Sequence, residues 1–190
     1  AYSTGCVYPL VKINSSGSLE DDAPEPIGEY AQSCLGRERM FQYFSNQYKT
    51  PVVLTRLTYA VEMRYGVLVD IAMKVKNKMP VDVSMGYFNV IWQGDANAMV
   101  LQSFAHCESP AKILNITGPE LIPTRWAAGE FGKLFGVQPI IEGEENDSAL
   151  ISNASQAHQL FGYPRVTLQQ LIHWIADWIE HDRPLLNKPT

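Results

Sequence analysis

Cysteine is scarce in this chain of 190 residues, and Cys6, Cys34 and Cys107 show neither CxxC nor CxxH spacing. An odd count without such spacing argues against a disulfide framework and against a zinc site. No apolar run reaches the roughly 20 residues of a membrane-spanning helix, and no charged segment followed by an apolar one opens the chain. Basic character is also missing. The 15 Lys and Arg are scattered among 20 Asp and Glu, for a net charge of −5, so no basic stripe is available to neutralise phosphates and bind nucleic acid. The four histidines share no ligand spacing. These absences predict a soluble, cytoplasmic protein with no nucleic-acid, membrane or metal partner.

What is present is an ordinary globular composition, 46% hydrophobic and 18% charged. Residues 1 to 8 read as a short strand, followed to residue 28 by a loop rich in Pro, Ser, Gly and acidic groups, with Ser15 to Ser18 at the surface. A helix follows from Glu29 to Asn46, with Cys34, Leu35, Phe41 and Phe44 among its apolar members, until Pro51 blocks it. Val52 to Leu57 is a continuous run of the kind found in a parallel strand covered on both faces. Val67 to Lys78 is helical and amphipathic, with lysines at its C-terminal end. Val81 to Met85 and Tyr87 to Trp92, turning at Gly86, predict a small antiparallel pair or an edge extension. Asp95 to His106 reads as a helix, and Lys112 to Ile116 as a strand ended by Gly118-Pro119. Pro123 to Gly136 is a further helix, with Ala127, Phe131, Leu134 and Phe135 as its inner stripe. A short strand at 138 to 142, a loop at 143 to 147 and a helix from Ser152 to Phe161 precede the last helix. That helix opens on the capping pattern Thr167-x-x-Gln170 and carries Leu168, Leu171, Ile172, Ile175, Trp178 and Ile179 on one side.

Four short motifs stand in a recognisable order. Ser3-Thr4-Gly5-Cys6-Val7-Tyr8-Pro9 resembles a Ser/Thr-x-x-Val-Tyr-Gly strand end. Tyr30 opens a helix in which Glu38 falls where a related helix carries Glu. Val90-Ile91-Trp92-Gln93-Gly94-Asp95-Ala96 resembles Val-x-Val-x-Asp-x-Ala, and Asn115-Ile116-Thr117-Gly118 resembles Asn-Val-x-Gly. Together they resemble the C-terminal part of the extended short-chain dehydrogenase/reductases, the NAD-dependent epimerase/dehydratase family. The resemblance implies an α/β fold: the C-terminal portion of a Rossmann-like, doubly wound parallel sheet with a small mixed α/β substrate-binding region. Residues 1–66 would belong to the sheet domain. Residues 67–190 would form the smaller region, intertwined with the first through the strand at 112 to 116.

The same resemblance implies an oxidoreductase or isomerase using NAD or NADP on a sugar or related hydroxyl or carbonyl substrate, with nucleotide-sugars among the candidates. Tyr30 and Thr4 would be the catalytic pair, the phenol moving a proton and the hydroxyl positioning the substrate oxygen. Thr4, Tyr30, Cys34, Leu57 and Thr58 would lie against the cofactor. The Gly-x-x-Gly-x-x-Gly turn that holds the pyrophosphate is not in this chain, which opens at Ala1 on a strand pattern. The expectation is therefore a fragment, its dinucleotide-binding half supplied by a missing N-terminal part or another chain, and a homodimer through the Tyr30 helix.

Three departures weigh on activity, one of them at Thr58 or Tyr59, where the family often has an Asn that touches cofactor or nucleotide-sugar. The family has Tyr-x-x-x-Lys where this chain has Tyr30-x-x-x-Cys34, and an Arg that contacts nucleotide diphosphate is replaced at about Phe88. A free phenol has a pKa of about 10, so about one molecule in a thousand is ionised at pH 7, and the family's Lys helps by placing a cation nearby. Cys34 does not. Arg37, about 10 Å along the helix from Tyr30, is a candidate for compensation. The alternatives are a non-catalytic relative that binds NAD(P) or a metabolite, and a truncated or split protein without activity of its own.

Overall fold

The structure, a computed structural model, describes residues 1–188. The chain enters on β1 (Tyr2–Thr4), shorter than the strand expected over residues 1 to 8. It is cut short because the Thr4 side chain accepts the Cys6 N–H at 3.2 Å and starts a 3-10 turn over Gly5–Val7. β2 (Val11–Lys12) interrupts the following loop, and α1 (Gly28–Tyr48) ends with Lys49 in the left-handed region, ahead of Pro51. Then come β3 (Val53–Leu57), β4 (Ala60–Val61), α2 (Val67–Lys76), β5 (Pro80–Asp82), β6 (Tyr87–Phe88), β7 (Ile91–Trp92) and α3 (Gln93–Ser103). The remainder is β8 (Lys112–Ile116), β9 (Ile122–Pro123), α4 (Thr124–Phe135), β10 (Ile140–Glu142), β11 (Ser148–Ala149), α5 (Ser155–Phe161) and α6 (Leu168–Glu180).

The central sheet is parallel, in the order β1-β3-β8, with Thr4 beside Leu57 and Leu57 beside Ile116 at its carboxyl edge. Its middle strand is covered on both faces, as expected, but it carries one charge: Arg56 is 2% exposed. That charge is matched. Arg56 Nε and Nη2 donate to the two carboxylate oxygens of Glu38 on α1 at 2.9 and 2.8 Å, and Ser3 Oγ donates to the same carboxylate at 2.5 Å. The guanidinium also lies 4.6 Å from the centre of the Tyr8 ring, whose hydroxyl donates to Asn115 on β8. α1 is thus docked through a narrow stripe of Ala31, Cys34, Glu38 and Ser45. Phe41 and Phe44 face outward, together with Met40, Tyr43 and Tyr48.

The loop after β2 is less superficial than its composition suggests. Ser15 and Ser16 are exposed, but Ser18 and Glu20 are buried. β2 pairs with β11, and Glu20 accepts the Asn115 N–H at 3.0 Å and the Gln156 amide at 3.1 Å, so the loop is tied down.

The expected pairing of residues 81–85 with 87–92 does not occur. Asp82 accepts the Ser84 N–H at 2.8 Å and its hydroxyl at 3.0 Å, a local turn that diverts the chain before Gly86. The strands find distant partners instead: β5 pairs with β10, β6 with β9 and β7 with β4. Pro123 precedes α4 as its cap residue and pairs in β9, rather than sitting inside the first turn. α2, α4 and α6 pack on one another through Leu68, Ala72, Ala127, Phe131, Ile172 and Ile175, all fully buried. α6 begins with the expected reciprocal cap between Thr167 and Gln170. A second core, with Leu114 and Ile116 on one side and Met99 and Ala157 on the other, holds α3 and α5 against β8.

Candidate active site

Parallel sheets place ligands beyond the carboxyl ends of their strands. Here the ends of β1 and β3 open into a cleft of about 530 Å³, lined by Thr4, Cys6, Tyr30, Leu57, Thr58 and Tyr59 among others. Four of the five sequence-predicted residues, Thr4, Tyr30, Leu57 and Thr58, therefore share one cavity. The fifth, Cys34, lies in the floor of α1, 3% exposed, packed with Val7 and Tyr8 and outside the cleft lining.

Tyr30 stands in the first turn of α1, where Gly28, with φ of 81°, swings the chain from the loop into the helix. Its ring is largely exposed at the mouth of the cleft. Burial of the hydroxyl end pushes its pKa above the usual phenol value. The neighbouring Thr4 hydroxyl works in the opposite direction, and Cys34 and Cys6 push it further up. Arg37 does not offset this. Its Nη2 donates to Cys34 Sγ at 3.5 Å, so the cation is held against the thiol one turn below the phenol.

Thr58 is fixed from behind. Its hydroxyl lies 2.8 Å from Ser152 Oγ, and Gly5 permits this contact because a Cβ there would meet Thr58 Oγ1 at 2.0 Å. Tyr59, next in sequence, has φ of 41°, an uncommon conformation for a bulky residue, and lines the same cleft. Burial raises its pKa, with Cys6 adding to the effect. Sequence reasoning did not assign Cys6, Gln93, Tyr65 or Leu150 to the site, since they come from four separated segments. The glycine-bearing Thr4-Gly5-Cys6 turn is the only local signal that Cys6 would face a cavity. Among the described residues, no three His, Cys, Asp or Glu side chains converge on a point where a metal would bind.

No family model matches the chain, and no curated protein matches it. Solved structures do. It is similar to UDP-glucose 4-epimerase from Thermus thermophilus in complex with NAD, at 19% identity and a TM-score of 0.77 over 94% of this chain and 62% of that one. It is similar to dTDP-glucose 4,6-dehydratase from Bacillus anthracis str. Ames in complex with NAD, at 18% identity and a TM-score of 0.79 over 95% of this chain and 61% of that one. RMD from Pseudomonas aeruginosa complexed with NADPH gives 18% identity and a TM-score of 0.78 over 94% of this chain and 65% of that one. The fold is that of the NAD-dependent epimerases and dehydratases. More narrowly, it matches the C-terminal part of such structures, and the chain spans about three fifths of the length of the solved chains it matches. No helix among the described residues is long and apolar enough to cross a membrane.

Proposed function

We propose that this chain carries the proton-handling half of an NAD(P)-dependent oxidoreductase acting on a hydroxyl or carbonyl compound. The observation that carries the reading is the meeting of the Tyr30 phenol and the Thr4 hydroxyl at the mouth of the cleft beyond β1 and β3. The neighbours of like fold were solved with NAD or NADPH, and one with UDP-glucuronic acid and NAD, which supports the cofactor and a sugar-like substrate class.

The residues present fit the nicotinamide end of such a cofactor. Leu57, Ala60 and Val61 line an apolar part of the cleft suited to the ring, and the two hydroxyls stand nearby. Cys34, buried and bonded to Arg37, offers no donor there. When bound, the cofactor supplies or removes a hydride. Tyr30, held in its neutral form by its raised pKa, donates its proton to a substrate carbonyl oxygen as the carbon is reduced, and the phenolate regains a proton from solvent. Thr4 positions that same oxygen. The arrangement favours reduction over oxidation at neutral pH, because oxidation needs the phenolate first.

The test is reduction of simple ketone and aldose-derived carbonyl substrates by NADH and NADPH, with the chain expressed together with whatever coding sequence lies upstream. Tyr30→Phe should lower kcat by at least about a hundredfold. Turnover that is indifferent to Tyr30→Phe would remove the reading. Cofactor binding without turnover would support a second one, a non-catalytic NAD(P)- or metabolite-binding relative, which the thiol in place of an ammonium favours.

A further inference from the structure

One bulky residue is forced into the wall of the cleft at Tyr30. Tyr59 has φ of 41°, a region where Asn is at ease and a large side chain is strained. The chain on either side holds it there. Thr58 N–H donates to the Ile116 carbonyl at 3.0 Å, and the Tyr59 carbonyl accepts the Ile91 N–H at 3.2 Å. Strain pinned in this way at a cavity wall points to a use for the side chain.

The two parts of that side chain meet different things. Its ring stands edge-on to Phe88, with 6.4 Å between centres. Tyr59 alone among the described residues lines both the cleft at Tyr30 and a smaller pocket of about 210 Å³ behind it, so it is the partition between them. Its hydroxyl makes no hydrogen bond among the described residues, yet it is not sealed in. Burial, and after it Cys6, pushes its pKa up, and Cys6 lines the larger cleft but not the pocket behind. The hydroxyl is therefore a neutral donor turned toward the larger cleft.

Charge and size say what it meets there. No Lys, Arg or His among the described residues lines the cleft at Tyr30, and the pocket behind Tyr59 sets Asp70 and Asp82 against Lys74 alone. A diphosphate would lose its water in either place without a surplus of positive charge to meet it. Cavities of roughly 300–1,000 Å³ take drug-sized ligands. The cleft of about 530 Å³ must hold the nicotinamide end as well, which leaves space for a compact molecule, and Tyr65 and Leu150 add apolar surface to it. We infer that Tyr59 sets the substrate of this cleft, closing its far end and donating to a second oxygen of a compact, uncharged, largely apolar ketone or aldehyde with no nucleotide attached. This rests on Tyr30 and Thr4 being the proton-handling pair of the same cleft, and it narrows what they act on.

Saturation-transfer NMR with the chain tests it, using acetophenone and its three monohydroxy derivatives as probes and UDP-glucose as the nucleotide-linked control. At least one hydroxyacetophenone should bind about tenfold tighter than acetophenone, a gain of about 1.4 kcal/mol. Tyr59→Phe, which removes only the hydroxyl, should bring it down to the level of acetophenone, and UDP-glucose should receive little saturation. The role of Tyr59 is overturned by no transfer to any of these ketones at about 10 mM, by equal binding of all of them, by a preference that survives Tyr59→Phe, or by UDP-glucose binding more tightly than the ketones. Reduction assays with NADH and NADPH separate this role from the one beneath it. Turnover lost in Tyr30→Phe, with kcat/KM for the best hydroxyacetophenone unchanged in Tyr59→Phe, overturns the role of Tyr59 alone. Turnover indifferent to Tyr30→Phe, with the Tyr59 preference intact, overturns only the proton-handling role.

Discussion

A phenol with a thiol one helical turn below it is ionised less at neutral pH than a phenol with an ammonium there, and at Tyr30 the consequence has a sign. Burial is the largest influence raising its pKa, with Cys34 and Cys6 adding to it against the opposing effect of the Thr4 hydroxyl. Removing Cys34 therefore lowers the pKa, while burial still holds it above the ordinary phenol value. We expect Cys34→Ala to move the tyrosinate absorbance midpoint of Tyr30 downward, read as the difference between titrations with and without Tyr30→Phe. A midpoint that stays put would mean the thiol has no electrostatic hold on the phenol. The rate of carbonyl reduction should be flat through neutral pH, where the phenol is protonated, and fall only as pH passes the raised pKa. Oxidation should climb across the same range. Tyr30 and Thr4 were legible in the sequence because a short motif places them one strand and one helix apart. Tyr59 was not, since its part in the cleft depends on a left-handed backbone that leaves no residue pattern, and for Cys6 the glycine in the tight turn after Thr4 is a slight sign.

At the scale of elements, β3 shows where pattern reading stops. The run Val53 to Leu57 is apolar enough to name a buried strand, yet its Arg56 is among the largest fully buried side chains. The partner that makes this tolerable is Glu38, 18 positions away on α1, and Ser3 from β1 completes the carboxylate's hydrogen bonds. The family resemblance placed Glu38 on the helix but named no partner for it. The strands expected to form a hairpin fail for the same reason, since each pairs with a segment far along the chain. Helix α2 was legible because its apolar period is local, and α6 because both its period and its cap are. Removing one member of a buried ion pair leaves the other uncompensated, at a cost of about 3–5 kcal/mol. Glu38→Gln should lower unfolding stability by that order in urea titrations, and replacing both Glu38 and Arg56 by Leu should cost less than the single change. A double variant less stable than Glu38→Gln would show that the pair contributes beyond mutual neutralisation. At α6, Thr167→Ala should cost about 1 kcal/mol by the same measurement, through the lost cap.

Among the described residues the molecule presents a three-stranded parallel sheet with β1 at its edge, four two-stranded pairs around it, clefts beyond the carboxyl ends of β3 and β8, and an uncovered aromatic face on α1. The cleft at Tyr30 can take the reactive end of a dinucleotide, but affinity for such cofactors comes largely from the pyrophosphate held by backbone N–H groups at a glycine-rich strand-to-helix turn. None of the described strand-to-helix passages has that form: α2 follows Gly66 after a five-residue gap from β4, and α3 follows β7 directly at Trp92. α4 follows β9 directly, with Pro123 as its cap residue. The solved chains of like fold are longer by about half of this one's length, which leaves room for such a turn outside the 190 residues. The 190-residue chain should therefore bind NADH or NADPH more weakly than about 1 mM, near −4 kcal/mol, by fluorescence titration. The polypeptide extended by its upstream coding sequence should gain at least about a hundredfold, or about 2.7 kcal/mol, if that sequence supplies the turn. Tight binding by the 190 residues alone would mean that the hydroxyls and apolar wall of the cleft suffice, and that the phosphate anchor is dispensable in this fold.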